Sequence, residues 1–193
     1  MLLYCGLLGA VGFYFRNSVG VARNTMHLLH AVIQTAMAAP AVLRDVAAEE
    51  VERQGTYTLT SLHLYLAYIL WDTVFYHKTM RPEFAFHHIF TGAAVVHTLC
   101  YSPPSTIEVA YRCLSVEAST IFLCLRPMFG KKSFLKELND LLFFASFSLF
   151  RVATMVPLAM FTFRHSGLGL TSFFMATNLG LNAYWYQKLL RKL

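Results

Sequence analysis

The sequence is short of charge. Asp, Glu, Lys and Arg make up only 13% of its 193 residues, whereas hydrophobic residues make up 56%. A soluble domain is usually about 25% charged, because polar side chains must cover its surface. The composition therefore excludes soluble, secreted and disordered proteins. It predicts an all-α fold, a polytopic transmembrane helical bundle.

Cysteine is scarce as well and follows no pattern. The four cysteines include no CxxC pair and no Cys/His spacing typical of a metal site. We therefore expect no metal and no cofactor. The sequence also lacks internal repeats and low-complexity tracts, which argues against a second folded domain. We divide it into an N-terminal transmembrane segment, residues 1–22, and one domain, residues 23–193.

Long apolar stretches dominate what remains. About seven are long enough, or nearly so, to cross the roughly 30 Å hydrocarbon core as helices. The first is short, and a truncated or tilted helix fits it better than a signal peptide, because it lacks a basic start and a clear cleavage site. Ala47–Gly55, Pro103–Pro104 and Met128–Lys136 are the predicted loops. The stretches are Leu2–Phe15, Thr25–Leu43, Thr58–Tyr76, Phe84–Ser102, Thr106–Leu125, Asp140–Phe163 and Gly167–Gln187.

The loops differ in basic residues. Eleven Lys and Arg fall in loops and tails on one side of the predicted membrane, and three, Arg44, Arg53 and Arg164, fall on the other. Basic loops stay in the cytosol, so the C-terminus is predicted to be cytosolic. The net charge of +6 is then explained by topology, and we expect no nucleic-acid partner.

Ionisable and amide side chains inside a membrane are costly, so they are candidates for function. Two layers of them are predicted, and together they are consistent with a polar cavity open towards the cytosol. Near the midplane lie Glu117, Arg151 and Asn178. Nearer the cytosol lie Asp72, His87, His88 and Asn182, with His30, Tyr68 and Trp71 placed to line the same mouth.

Each of these residues also has a purely structural interpretation. Glu117 and Arg151 lie at equal depth, and an ion pair between them is as well supported as contact with a ligand. Asn178 and Asn182 are of a type that often joins helices by hydrogen bonds. Trp71 fits an interfacial aromatic belt. The two histidines are neighbours that point about 100° apart, so only one is expected to face a given point in a cavity.

Five short motifs follow one another on successive apolar stretches. They are Tyr68–x–x–Trp71–Asp72, His87–His88, Glu117–x–Ser119–Thr120, Phe150–Arg151 and Asn182–x–x–Trp185. Their order along the chain resembles the TLC-domain family, which includes the ceramide synthases. The resemblance covers about Arg23 to Gln187. It implies six core helices that enclose a lipid-accessible cavity, usually in the endoplasmic reticulum or related membranes.

One departure from the ceramide synthases matters. Their double histidine is followed by a motif that ends in paired aspartates, whereas residues Ile89 to Ile107 of this chain contain no acidic residue. The chain is therefore more similar to the TLC proteins that are not synthases. These are associated with lipid handling and with membrane lipid composition.

Three functions follow, ranked in this order. The chain binds, senses or moves a membrane lipid; or it is an acyltransferase that takes acyl-CoA and acylates a sphingoid base or another amphipathic acceptor; or it is a structural membrane protein. In the enzyme, His87 or His88 would act as general base or as nucleophile towards the thioester, with Asp72 fixing its tautomer. The substrate-contacting residues would be Glu117, Arg151, Asn178, Asn182, Tyr68, Trp71 and His30.

Overall fold

The computed structural model describes residues 19–43, 51–101, 112–130 and 133–191, together with positions 6, 10 and 109. The first predicted stretch, Leu2–Phe15, and the predicted turn at Pro103–Pro104 therefore lie essentially outside the described residues. The regular elements within the described ranges are all helical, as the sequence predicts.

The described ranges contain seven α-helices. The fourth α-helix has a short 3-10 turn on each side, Leu114–Val116 before it and Arg126–Met128 after it. The fifth and sixth α-helices are joined by a π-helical segment, Phe147–Ala153. We number them α1 (Val19–Leu43), α2 (Val51–Tyr76), α3 (Pro82–Tyr101), α4 (Glu117–Leu125), α5 (Phe134–Ser146), α6 (Met155–Ser166) and α7 (Leu170–Leu190).

The helices form a closed ring. α1 contacts α2, α2 contacts α3, and α3 contacts α7. α7 then contacts α6 and the π-helical segment, α5 contacts α4, and α4 closes the ring against α1. If α5, the π-helical segment and α6 are taken as one continuous helix, six helices surround a central space. This agrees with the six-helix core that the family resemblance implies.

Polar side chains inside the ring join neighbouring helices. Asn24 of α1 donates through Nδ2 to the Cys124 carbonyl of α4 at 2.7 Å, and Asn139 of α5 donates to the Phe122 carbonyl at 2.9 Å. Gln34 of α1 and Ser61 of α2 are completely buried and hydrogen-bond each other. Such bonds are the usual means of holding helices together where water is excluded.

Two helix boundaries differ from the predicted loops. α2 begins at Val51, so the prediction of a loop over Ala47–Gly55 is wrong for residues 51–55. The chain there reads Glu52, Arg53, Gln54, and these residue types have high helix propensity, so a polar turn continues the apolar helix. α5 begins at Phe134, inside the predicted Met128–Lys136 loop.

The start of α5 has a clear local cause. Ser133 is its N-cap, and the Ser133 hydroxyl accepts a hydrogen bond from the Leu135 backbone N–H at 3.2 Å. Serine is favoured at this position because its side chain satisfies an N–H that the helix itself leaves unpaired. The cap ends the preceding loop three residues before the predicted boundary at Lys136.

Among the described residues, one continuous helix is long and apolar enough to cross a membrane. It runs from Phe134 to His165, over 32 residues. The other described helices are too short or not apolar enough over 18 residues; α4, for example, has only nine residues. The seven predicted spans are therefore not established by helix length and hydropathy.

The π-helical segment Phe147–Ala153 has its cause in Pro157. Proline lacks an N–H, and its ring collides with the carbonyl four residues earlier, which is that of Ala153. The helix widens just upstream, where the Thr154 N–H bonds to the Leu149 carbonyl at 3.0 Å, five residues back. Wide turns of this kind are frequent at functional sites. This one carries Arg151.

Candidate functional site

Asp72 of α2 is the centre of the first polar cluster. Its carboxylate is fully buried and accepts two hydrogen bonds from Arg23, from Nε at 3.0 Å and from Nη2 at 2.9 Å. His27 Nε2 lies 3.2 Å from the same carboxylate. A two-point contact with Arg is the strongest form of carboxylate pairing. Residues of α1 therefore hold the Asp72 side chain of α2.

His30 belongs to the packing around this cluster. Its ring stacks on Tyr68 with centroids 3.7 Å apart and lies 5.2 Å from the ring of Tyr65. Only 1% of His30 is exposed. Trp71 packs instead against Phe75, with ring centroids 5.4 Å apart. Both residues therefore contribute to helix packing at this point.

His88 connects α3 to the Asp72 cluster. Its Nδ1 lies 3.6 Å from Asp72 Oδ2 and 3.3 Å from the Thr73 hydroxyl. Asp72 is therefore placed to orient His88. It makes no contact of this kind with His87, which lies on the adjacent side of the same helix.

His87 ends a chain of three hydrogen bonds that begins on α7. Asn178 donates from Nδ2 to the Phe174 carbonyl at 3.3 Å, so its Oδ1 is left as an acceptor. The Thr91 hydroxyl donates to this Oδ1 at 3.2 Å and lies 3.1 Å from His87 Nδ1. Because the one hydroxyl proton is used in the bond to Asn178, the Thr91 oxygen accepts a hydrogen bond from the Nδ1–H of His87. His87 is thereby fixed as the Nδ1–H tautomer, with a lone pair on Nε2.

Arg151 is the second buried charge, and three neutral side chains hold it. Nε donates to the Ser119 hydroxyl at 2.8 Å, Nη2 to the Thr120 hydroxyl at 3.0 Å, and Nη1 to the Asn182 carbonyl oxygen at 3.1 Å. The guanidinium carbon also lies 5.8 Å from the centre of the Trp185 ring, a cation–π distance. Arg151 therefore ties the π-helical segment to α4 and α7.

The expected ion pair between Glu117 and Arg151 is absent. No carboxylate oxygen of the described residues lies within 4 Å of the Arg151 nitrogens, and Glu117 instead accepts a hydrogen bond from the Tyr65 hydroxyl at 3.4 Å. Equal depth in a predicted membrane does not fix the direction in which two side chains point. The prediction of a pair is wrong for this reason.

Two cavities occupy the inside of the ring. One, of about 280 Å³, is lined by charged and polar side chains; we call it the polar cavity. The other, of about 100 Å³, is lined mainly by groups such as Val95, Met155 and Met175; we call it the apolar cavity. Tyr65, His87 and Arg151 line both. The cavities thus meet at His87 and Arg151.

Basic residues surround the mouth of the polar cavity. Arg81, Arg126 and Lys188 all line it, although they come from three different places in the sequence. Lys188 lies 3.4 Å from Glu83, whose pKa is lowered by a hydrogen bond from its own backbone N–H and then by this ammonium. Three of the eleven basic residues that the sequence assigns to one side of the membrane therefore line the same cavity.

The predicted site residues divide into three groups. Asp72, His30 and Trp71 line neither cavity. Asn178 and Asn182 line the apolar cavity. The polar cavity is lined by His87, His88, Tyr68, Glu117 and Arg151.

Thr91 had not been predicted as a site residue. Its signal was its position four residues after His87, which places the two on one face of a helix. Ser119, Thr120 and Trp185 stood within the motifs of the resemblance but had no assigned role. In the described part of the chain, no group of three or more His, Cys, Asp or Glu residues is arranged to hold a metal ion.

Comparison with known proteins gives one match. The family model of the TLC domain matches residues 20–191. Neither a curated protein nor a solved structure gives a significant match. The matched range covers most of the chain and includes every residue of both polar clusters.

The hydrogen-bond chain behind His87 leads to a prediction. Thr91→Val removes the acceptor of the Nδ1 proton, so we expect the His87 ring to change from the Nδ1–H to a mixture with the Nε2–H tautomer. The ¹⁵N chemical shifts of labelled histidine measure this directly. Thr177→Val removes a hydroxyl that donates to the Phe173 carbonyl of its own helix, α7, and should leave the His87 signals unchanged. Unaltered signals in the Thr91 variant would show that Thr91 does not fix the tautomer.

Proposed function

Because this chain belongs to the TLC-domain family, a membrane protein family linked to lipid biology, we propose that it binds one lipid molecule inside its ring of helices. The head group occupies the polar cavity and part of an acyl chain enters the apolar cavity. The protein in this way senses, holds or moves a membrane lipid. Its partner is that lipid, and it needs no metal or other cofactor.

The meeting of the two cavities is the observation that carries this proposal. A lipid has a polar and an apolar end, and the two cavities differ in the same way. They share Tyr65, His87 and Arg151 as lining residues, so they adjoin each other, and the proposed lipid would pass beside these three side chains. The polar cavity, at about 280 Å³, lies near the lower end of the roughly 300–1,000 Å³ usual for ligand sites.

We also propose that the ring spans a membrane, with about seven helices in all and the C-terminus in the cytosol. Large apolar side chains cover its outside; Phe75, Ile89 and Leu141 are each more than 60% exposed. An exposed apolar surface of this extent is unusual for a soluble protein. The basic mouth of the polar cavity then faces the cytosol. The endoplasmic reticulum is the membrane that family resemblance favours.

A second candidate function is supported by His87. With a proton fixed on Nδ1 and a lone pair on Nε2, this imidazole is in the state required of a general base or a nucleophile. It lies where the two cavities meet. In an acyltransferase, acyl-CoA would enter from the cytosolic mouth and His87, rather than His88, would be the reacting residue. His88 and Asp72 would then position the surrounding wall.

The purely structural interpretation has support of its own. Asn178 and Asn182 both hydrogen-bond to neighbouring helices, as packing residues do. A structural protein, however, does not require two adjoining cavities of which one is lined by several charged side chains. We therefore rank this function third.

The lipid itself is the first thing to look for. We expect native mass spectrometry of the purified protein to detect one bound lipid. Ala94 lines the apolar cavity, and Ala94→Phe should fill it and displace the acyl chain. Ala93, the neighbouring residue, is exposed on the outside of α3, and Ala93→Phe is the matched control. Bound lipid should be lost in the first variant and kept in the second.

The outcomes separate the candidate functions. Absence of bound lipid in the unaltered protein, or equal retention by both variants, would contradict the proposal. A mass increase on a peptide that contains His87, of the size of an acyl group, would favour the acyltransferase. Its loss in His87→Asn, together with its persistence in His88→Asn, would assign the reaction to His87.

The membrane orientation has a separate test. A tag at the C-terminus should be cleaved by protease added to sealed microsomes, and a tag inserted after Ala47 should be protected. The reason is the excess of basic residues on the C-terminal side. The reverse pattern of protection would contradict both the orientation and the cytosolic mouth of the polar cavity.

A further inference from the structure

Arg151 has hydrogen-bonding capacity that the protein does not use. A guanidinium carries five N–H groups. Three of them are bonded to Ser119, Thr120 and Asn182, one from each nitrogen. Within the described ranges, one N–H on each terminal nitrogen is left without a protein acceptor. Only 9% of Arg151 is exposed, and the side chain lines both cavities.

In the part of the chain that the structure describes, Arg151 also has no carboxylate in direct contact. Its three partners are neutral oxygens, so they satisfy N–H groups without neutralising the cation. Asp72 shows the contrast within the same ring, because its carboxylate is paired with Arg23 at 2.9 Å. A buried charge without a counter-charge is costly, and proteins usually supply one. The position of a counter-charge beside Arg151 is therefore open to a ligand.

Other charges along the polar cavity have the same sign. Arg81, Arg126 and Lys188 line it besides Arg151, against only Glu83 and Glu117. Glu83 lies beside Lys188 at the mouth, and Glu117 hydrogen-bonds Tyr65. Arg126 is paired with Asp140, at 2.8 Å from its Nε, and Lys188 with Glu83. Among the cations that line the cavity, Arg81 and Arg151 are therefore the ones without a carboxylate within 4 Å in the described ranges, and they favour the entry of an anion.

We propose that the ligand of this site carries an anionic oxygen group, a carboxylate or a phosphate, which binds the free N–H groups of Arg151. This inference rests on the proposed lipid-binding function and specifies its substrate class. Arginine matches such groups because two N–H donors can bind two oxygens at once. The apolar chain continues past His87 into the apolar cavity. A sphingoid base, whose ammonium has the same sign as Arg151, does not fit this position.

Competition between lipids tests the inference on the unaltered protein. Detergent-purified protein is offered equimolar phosphatidic acid and diacylglycerol with the same acyl chains, and, in a second arm, oleic acid and oleyl alcohol. In at least one arm we expect the anionic lipid to bind with an affinity at least about tenfold higher than its neutral competitor. The reason is that a charge-assisted hydrogen bond contributes more than a neutral one. A larger preference in the first arm would identify the anionic group of the ligand as a phosphate, and a larger preference in the second arm would identify it as a carboxylate.

Variants assign the preference to one residue. Arg151→Gln should abolish it, and Arg151→Lys, which keeps the charge, should retain part of it. Arg164→Gln is the matched control, because Arg164 is exposed and lines neither cavity. It should bind as the unaltered protein does.

The inference is overturned if the unaltered protein binds neutral and anionic lipids equally, even where Arg151→Gln does not fold. It is also overturned if folded Arg151→Gln keeps the full preference. Binding of lipid without charge preference would leave the proposed function standing and reject this inference alone. Failure of every lipid to bind would reject both.

Discussion

The hydrogen bonds of Arg151 are the constraint on which the inside of the ring depends. A buried guanidinium must be hydrogen-bonded, so hydroxyl groups on α4 and an amide on α7 have to stand around it. The π-helical turn upstream of Pro157 carries Arg151 in the segment that contacts both helices. Three elements of the ring are thus fixed around one positive charge. The place where the cavities meet follows from this arrangement.

The two charged clusters of the ring play different parts. Asp72 is enclosed by Arg23 and His27, lines neither cavity and completes its ion pair within the protein. The cluster joins α1 to α2 and, through His88, to α3, while His27 and His88 also line the polar cavity. Arg151 has neutral partners, unused donors and access to both cavities. The first cluster therefore stabilises the ring, and the second is available to a ligand.

Sequence patterns predicted most of the helices, because long apolar stretches are separated by polar or charged loops that mark where helices begin and end. Five motifs in order also predicted the family. The direction in which each side chain points from its helix was harder to predict. Depth alone put Glu117 and Arg151 together, although hydrogen bonds hold them to different partners. Trp71 shares a motif with Asp72 but packs on Phe75. The role of Thr91 depends on the amide orientation of Asn178, which only tertiary contacts reveal.

The central claim is that a lipid lies with its head beside Arg151 and its chain in the apolar cavity. A lipid with a photoreactive diazirine at the end of its acyl chain tests this most directly. After irradiation and proteolysis, we expect label on peptides that line the apolar cavity, at Val95 or Met175. Label confined to outward-facing residues such as Leu141 would show that the lipid only surrounds the protein, and would contradict the account.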